Sequence, residues 1–231
     1  MENTVNLIMQ KLESLGNEQI KKIYIKHGAK EPLFGIKTMD LRPIVREIKK
    51  NYDLSIKLYE TGNYDAMYLA GLIADPLKMT KEDFEKWIEN AYCHGLSDYT
   101  VATTLAKSSM AQEIADEWIF SNKDLHQSAG WSCYCNLFKD KNNDKINKEK
   151  IKQYLHNIEL NIHQSPNRVR YSMNNFVIAV GSFYKLLQAE AINVSKVIGE
   201  VFVDMGDTSC KTPLATKYIL KAIEKNKIKP S

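Results

Sequence analysis

Three groups of residues in this chain have types and spacings that chemistry can use. Cys133 and Cys135, with His126 upstream, carry metal-ligating atoms. Structural zinc sites space their cysteines by about two to four residues and use four ligands. One intervening residue points instead to small apolar thiols on a helix, and no metal is expected. Cys93 and His94 place a nucleophile beside a base. Adjacent residues on a helix end point apart, so no dyad is expected. Arg168, Arg170 and Tyr171 stand at the start of a predicted helix. Positive charge there opposes the helix dipole. Either a phosphate or carboxylate holds these arginines, or they form a solvated polar face.

Aromatic residues concentrate in the middle third at Tyr92, Tyr99, Trp118, Trp131 and Tyr134. Rings at helical spacing fill a core; exposed, they stack on bases or cradle cations. Basic residues fall into sets: Lys21, Lys22, Lys26 and Lys30; Arg42, Arg46, Lys49 and Lys50; and Lys217, Lys221, Lys225, Lys227 and Lys229. Arg42, Arg46 and Lys49 share one helix face by their spacing. Several such sets on one surface would make an electrostatic track for a nucleic-acid backbone. There is no phosphate-binding glycine loop, HExxH, GxSxG or paired CxxC, and no cofactor is expected.

The elements that must position these residues are helices. The chain has 231 residues, 44% hydrophobic and 26% charged, enough for one sizeable core or a short repeat array. Its net charge of +4 permits a polyanionic partner without requiring one. No signal-like segment and no apolar run of roughly 20 residues is present, so no membrane partner is expected. Four irregularly spaced cysteines read as reduced thiols in a cytoplasmic protein.

Apolar spacing is helical nearly throughout. Val5, Ile8, Leu12 and Leu15 share a face that ends at Gly16, and Ile20, Ile23 and Tyr24 mark a second helix. Thr38 is expected to cap the helix of Leu41, Ile44, Val45 and Ile48. Asp53 and Asn63 are expected to cap the next two. Asp75-Pro76 breaks the chain, and Thr80 to Asp83 reads as a capping box. Further helices are expected at about 97–107, 110–121, 124–138 and 147–162. The next two are at about 166–184, with Ser165 as cap and Pro166 at the first position, and at 186–199. A last one opens at Thr212-Pro213. Residues 139–146 read as a polar loop between two halves, and 200–207 as extended or turn. Helix pairs recurring every 35–45 residues or so predict an all-α, HEAT-like helical-repeat solenoid of about a dozen antiparallel helices in a single domain spanning 1–231. A compact bundle is the alternative.

The stretch Leu33-Phe34-Gly35-Ile36-Lys37-Thr38-Met39-Asp40-Leu41-Arg42 resembles the AlkD-like DNA alkylation repair family, in which an aromatic-Gly-hydrophobic segment leads into a helix opening with Leu-Arg. Ala70-Gly71-Leu72-Ile73-Ala74-Asp75 before a tryptophan-bearing helix fits too, as does the helix order over most of the chain. The resemblance implies a HEAT-like solenoid whose basic concave face cradles duplex DNA, and excision of alkylated purines by aromatic faces and a carboxylate. Asp98, Tyr99 and Trp131 are the catalytic candidates it suggests. Arg42, Arg46, Arg168, Arg170 and Lys211 are the DNA-binding candidates. The chain departs from the catalytic pattern. Where such members carry a Trp-Asp-x-x-Asp cluster, it reads Leu96-Ser97-Asp98-Tyr99-Thr100-Val101-Ala102, with Val101 or Ala102 in the carboxylate slot. Where they carry an arginine, it reads Ser128-Ala129-Gly130-Trp131. The segment Val203 to Pro213 is similar to a stretch in one branch of this family. The expected function is DNA binding related to alkylation repair, with base excision altered or lost. The alternative is a non-enzymatic scaffold that binds a protein or peptide in its groove.

Overall fold

The computed structural model describes residues 2–140 and 145–228; of the polar loop expected at 139–146, residues 141–144 lie outside the described residues. Every regular element among the described residues is helical. Two compact units are present, one of residues 1–114 with 206–208, the other of residues 115–205 with 209–231.

The first unit holds α1 (Glu2–Ser14), α2 (Glu18–Lys26), α3 (Arg42–Ile48), α4 (Tyr52–Glu60), α5 (Tyr64–Ile73) and α6 (Lys81–Asn90). After these, α7 (His94–Leu96) passes through a π-turn (Ser97–Val101) into α8 (Ala102–Leu105). The helix α9 (Ala111–Ile119) begins in the first unit and ends in the second. The second unit continues with α10 (Asp124–Leu137), α11 (Lys148–Asn161), α12 (Asn167–Phe183), α13 (Gln188–Ile198) and α14 (Ala215–Ile228).

Asparagine side chains start several of these helices. Asn17, Asn51, Asn63 and Asn147 each accept from backbone N–H groups of the first turn, satisfying donors that have no partner inside the helix. Thr80 and Asp83 form the expected reciprocal box. Three expected caps are corrected. Thr38 opens a 3-10 turn (Thr38–Leu41) that feeds α3, which is possible because Pro43 lies in the first turn of α3 and needs no N–H partner there. Asn51 replaces Asp53 as the cap of α4. Ser165 donates its hydroxyl back to the Asn161 carbonyl at 2.9 Å, leaving Pro166 at the cap position of α12.

In the first unit the core is aliphatic, with Leu12, Leu58, Leu69, Ile73 and Leu105 fully buried. The second unit has an aromatic core. Trp131 and Tyr134 of α10, and Phe138 just after it, meet Phe176 of α12 edge to face at 5.0, 5.9 and 5.5 Å. Such pairs add about 0.5–1.5 kcal/mol each beyond area burial.

Between α13 and α14 the chain has no regular structure through residues 200–206. The Asn167 amide clamps it, accepting from the Asp204 N–H at 2.8 Å and donating to the Asp204 carbonyl at 2.7 Å. Asn174, fully buried, donates to the Pro213 carbonyl at 2.8 Å. Asn167→Ala removes both bonds to Asp204. We expect a loss of about 1–2 kcal/mol in urea midpoint titrations, with faster amide exchange confined to residues near Asp204.

Candidate nucleic-acid interface

In the first unit, the site is built on a latch. Asp65, in the first turn of α5 and 1% exposed, accepts from three consecutive backbone N–H groups. Its Oδ2 receives Phe34 at 2.6 Å and Gly35 at 3.0 Å, and its Oδ1 receives Ile36 at 2.9 Å. Gly35 has φ +78°, and a Cβ there would lie 2.4 Å from the Lys21 nitrogen. No side chain fits that gap in that backbone conformation. The Tyr24 hydroxyl donates to the Ile36 carbonyl at 2.7 Å. The aromatic-Gly-hydrophobic stretch is thus held against α2 and α5, and the chain leaves it directly into α3. There Arg42 and Arg46 stand one turn apart, both exposed, and neither enters an ion pair among the described residues.

The second feature is the π-turn that carries Asp98 and Tyr99. Such turns widen the helix by one residue and occur often at functional sites. Two glycines allow the close packing around it. A Cβ on Gly71 would lie 2.6 Å from Thr100 Cγ2, and one on Gly95 would lie 2.5 Å from the Tyr64 hydroxyl. Asp98 is turned inward, 5% exposed, and its Oδ1 accepts from the Ser97 hydroxyl at 2.8 Å. Tyr99 points outward, 54% exposed, with its ring edge-on to His94 at 6.5 Å. His94 in turn meets His27 at 6.4 Å. Val101 and Ala102 are fully buried. Burial pushes the Cys93 thiol up from its ordinary value, so it stays protonated near neutral pH and offers no thiolate to His94.

Trp131, Arg168, Arg170 and Lys211 lie in the second unit. Trp131 is 1% exposed, its ring packed against Tyr154 at 5.5 Å and Phe176 at 5.0 Å. Its faces belong to the core, and its indole N–H has no hydrogen-bond partner among the described residues. Gly130 beside it lets α10 approach α9, since a Cβ would lie 2.8 Å from the Ile119 nitrogen. The Arg168 guanidinium lies 4.5 Å from the centre of the Tyr171 ring. Arg170 Nη2 donates to Asn167 Oδ1 at 3.4 Å. Both arginines are half-buried and Lys211 is exposed. Asp98, Tyr99, Arg42 and Arg46 therefore belong to one unit, and Trp131, Arg168, Arg170 and Lys211 to the other.

Cys133 is buried and Cys135 half-buried, and burial pushes the Cys133 thiol well up. Among the described residues no group of His, Cys, Asp and Glu is placed to hold a metal ion, and no helix is long and apolar enough to cross a membrane.

Two carboxylates escaped the sequence reading. Asp65 is one, and its only sequence signal is an acidic residue in a first helical turn. The other is Asp116 of α9. Its Oδ1 accepts the Tyr134 and Tyr154 hydroxyls at 2.6 Å each, and its Oδ2 is paired with Lys150. Burial first, and the hydrogen bond to Asp116 second, push both phenols well above their ordinary range.

Stacked amphipathic helices with paired backbone groups, glycine-mediated close contacts and exposed arginines define a helical-repeat protein. A solved structure of a new family related to the HEAT-like repeat DNA glycosylases, with affinity for branched DNA structures, matches it at a TM-score of 0.90 and 44% identity. The match covers 96% of this chain and 94% of that one. The model of the DNA alkylation repair enzyme family matches residues 8–219, and the chain belongs to that family. Uncharacterized proteins of Listeria innocua and Listeria monocytogenes are each 35% identical to it, over 226 and 231 residues, covering 95% and 97% of this chain and 97% and 99% of theirs. The fold is a HEAT-like helical repeat, all-α as the periodicity predicts.

Proposed function

We propose that the protein binds DNA, with a preference for branched duplexes, and does not excise alkylated purines. The observation that carries this is the π-turn. At the position where catalytic relatives are expected to present a carboxylate, this chain buries Val101 and Ala102, and the neighbouring Asp98 is turned inward onto Ser97. A group that steadies an oxocarbenium ion must reach the sugar, and none of these does. Trp131, packed into a core, cannot stack on a base without opening that core. The exposed arginines Arg42 and Arg46 and the half-exposed Tyr99 remain as binding groups, and the affinity of the 44%-identical neighbour for branched DNA supports the partner. Arg168, Arg170 and Lys211 are assigned to the same role on the second unit.

The test pairs two assays on the intact protein. In mobility shifts, a three-way junction is expected to bind more tightly than a linear duplex of the same length, with affinity falling steeply as salt rises. Arg42→Ala and Arg46→Ala are each expected to reduce the slope of log affinity against log salt by about one. Incubation with methylated DNA is expected to release no 7-methylguanine or 3-methyladenine above background. Release of either base would overturn the assignment, as would equal affinity for junction and duplex.

A further inference from the structure

Beside α4 and α6 the first unit holds a cavity of about 460 Å³ that the DNA-binding reading does not use. Two tyrosines, two turns apart on α4, fix its walls. The Tyr52 hydroxyl donates to Asp83 Oδ2 at 2.9 Å, and the Tyr59 hydroxyl donates to the Trp87 carbonyl at 2.7 Å, so α6 is tied to α4 at two levels. The Tyr59 and Trp87 rings stack at 4.2 Å with 4° between their planes. With Ile56, Met67 and the half-buried Tyr92 they give the cavity an apolar, largely aromatic lining. A volume in this range suits a small organic molecule. Walls fixed in advance lose little entropy when a ligand enters.

The polar atoms left over at this cavity are mostly acceptors. Glu60, at the end of α4, is exposed, and its carboxylate enters no ion pair or hydrogen bond among the described residues. Asp83 spends Oδ2 on the Tyr52 hydroxyl and the Thr80 N–H and leaves Oδ1 open. Asn90 donates its Nδ2 to the Lys86 carbonyl and leaves Oδ1 open. Glu31 is already neutralised by Lys21 at 2.7 Å and accepts from the Leu33 N–H, so it adds no open charge. Against these acceptors stands one side-chain donor, the exposed Lys86 ammonium, which enters no ion pair among the described residues. Open carboxylate oxygens beside aromatic walls complement a ligand that brings its own charged donors on an apolar body. An anionic ligand would face Glu60 and Asp83 unpaired.

From this geometry we infer that the cavity binds a small organic cation, an amine or guanidine whose apolar body lies on the aromatic lining and whose charged end is met by Glu60, with Asp83 and Asn90 as further acceptors. The site stands without the DNA-binding reading.

The probe is 2-phenylethylamine, titrated calorimetrically into the full chain, with 3-phenylpropionate as its anionic counterpart of similar size and agmatine as a second cation. The chain carries a net +4 and repels cations in general, so saturable binding of an amine requires a local site. The amine is expected to bind one site about tenfold more tightly than the carboxylate. Glu60→Gln keeps the shape, removes the charge and is expected to weaken the amine about tenfold. Lys86→Gln removes the competing charge and is expected to strengthen it about threefold. Glu224→Gln, exposed on α14 in the second unit, is expected to change nothing. All three positions are exposed, and an unchanged urea midpoint shows that the variants are folded. The inference is overturned if neither cation binds saturably, or if 3-phenylpropionate binds as tightly as the amine. It is equally overturned if Glu60→Gln leaves amine affinity unchanged, or if Glu224→Gln lowers it as much as Glu60→Gln does.

Discussion

Asp65→Ala is expected to cost about 3–5 kcal/mol of stability, read as a fall in the urea midpoint. Three backbone N–H groups converge on this one buried carboxylate. Alanine leaves all three without an acceptor, at about 1–3 kcal/mol for each buried donor that water cannot reach. Asp65→Asn keeps one oxygen and should cost about half as much. Gly35→Ala attacks the same latch from the other side, because its Cβ would meet the α2 backbone at 2.4–2.7 Å. The functional consequence follows from the path of the chain. The latched stretch runs straight into the turn that starts α3, so loosening it releases Arg42 and Arg46 from their place. Junction affinity is therefore expected to fall in Asp65→Asn under conditions where the variant is still folded. An unchanged affinity would separate the latch from the binding face.

That latch shows how far the sequence could be read. The aromatic-Gly-hydrophobic stretch was visible as a family likeness, but its cause was not, because the acceptor is supplied by α5, far along the chain. Helix positions were legible because apolar periodicity is a local property. Two starts were legible too, since Asn63 and Thr80 act within three residues. Thr38, Asp53 and Ser165 failed because more than one nearby residue could serve, and the choice among them is made by the backbone angle entering the helix. Trp131 shows the limit more sharply. Its ring type suits either a base-stacking face or a core, and only packing against Tyr154 and Phe176 decides. Asp98 and Tyr99 are neighbours in sequence with opposite orientations, one inward and one outward, and the π-turn that separates them leaves no signature in residue type. Residues 200–207 were legible as extended or turn, but the clamp that Asn167 places on Asp204 is a fact of the folded chain alone.

The second large effect is expected at Asp116. Asp116→Ala strands the hydroxyls of Tyr134, which is fully buried, and Tyr154, which is 4% exposed, and removes the partner of Lys150. Two buried donors without an acceptor cost about 1–3 kcal/mol each, so a loss of about 3–4 kcal/mol is expected from the helices α9, α10 and α11 that the carboxylate ties together. Removing the hydroxyls instead should be far milder, because Tyr134→Phe or Tyr154→Phe leaves an acceptor that the other donors still satisfy. Asp116→Ala combined with Tyr134→Phe should cost less than the sum of the single changes, and additive losses would exclude the shared bond. The cluster also fixes a direction with pH. Both phenols have folded-state values raised above the ordinary phenol value of about 10. Above that pH the unfolded chain gives up these protons while the folded chain keeps them, so their stabilisation is fully present below it and is lost as pH rises. Stability should therefore fall above about pH 10, and the double change Tyr134→Phe with Tyr154→Phe should flatten that fall. An unchanged alkaline slope in the double variant would mean that these phenols are not held protonated by the fold.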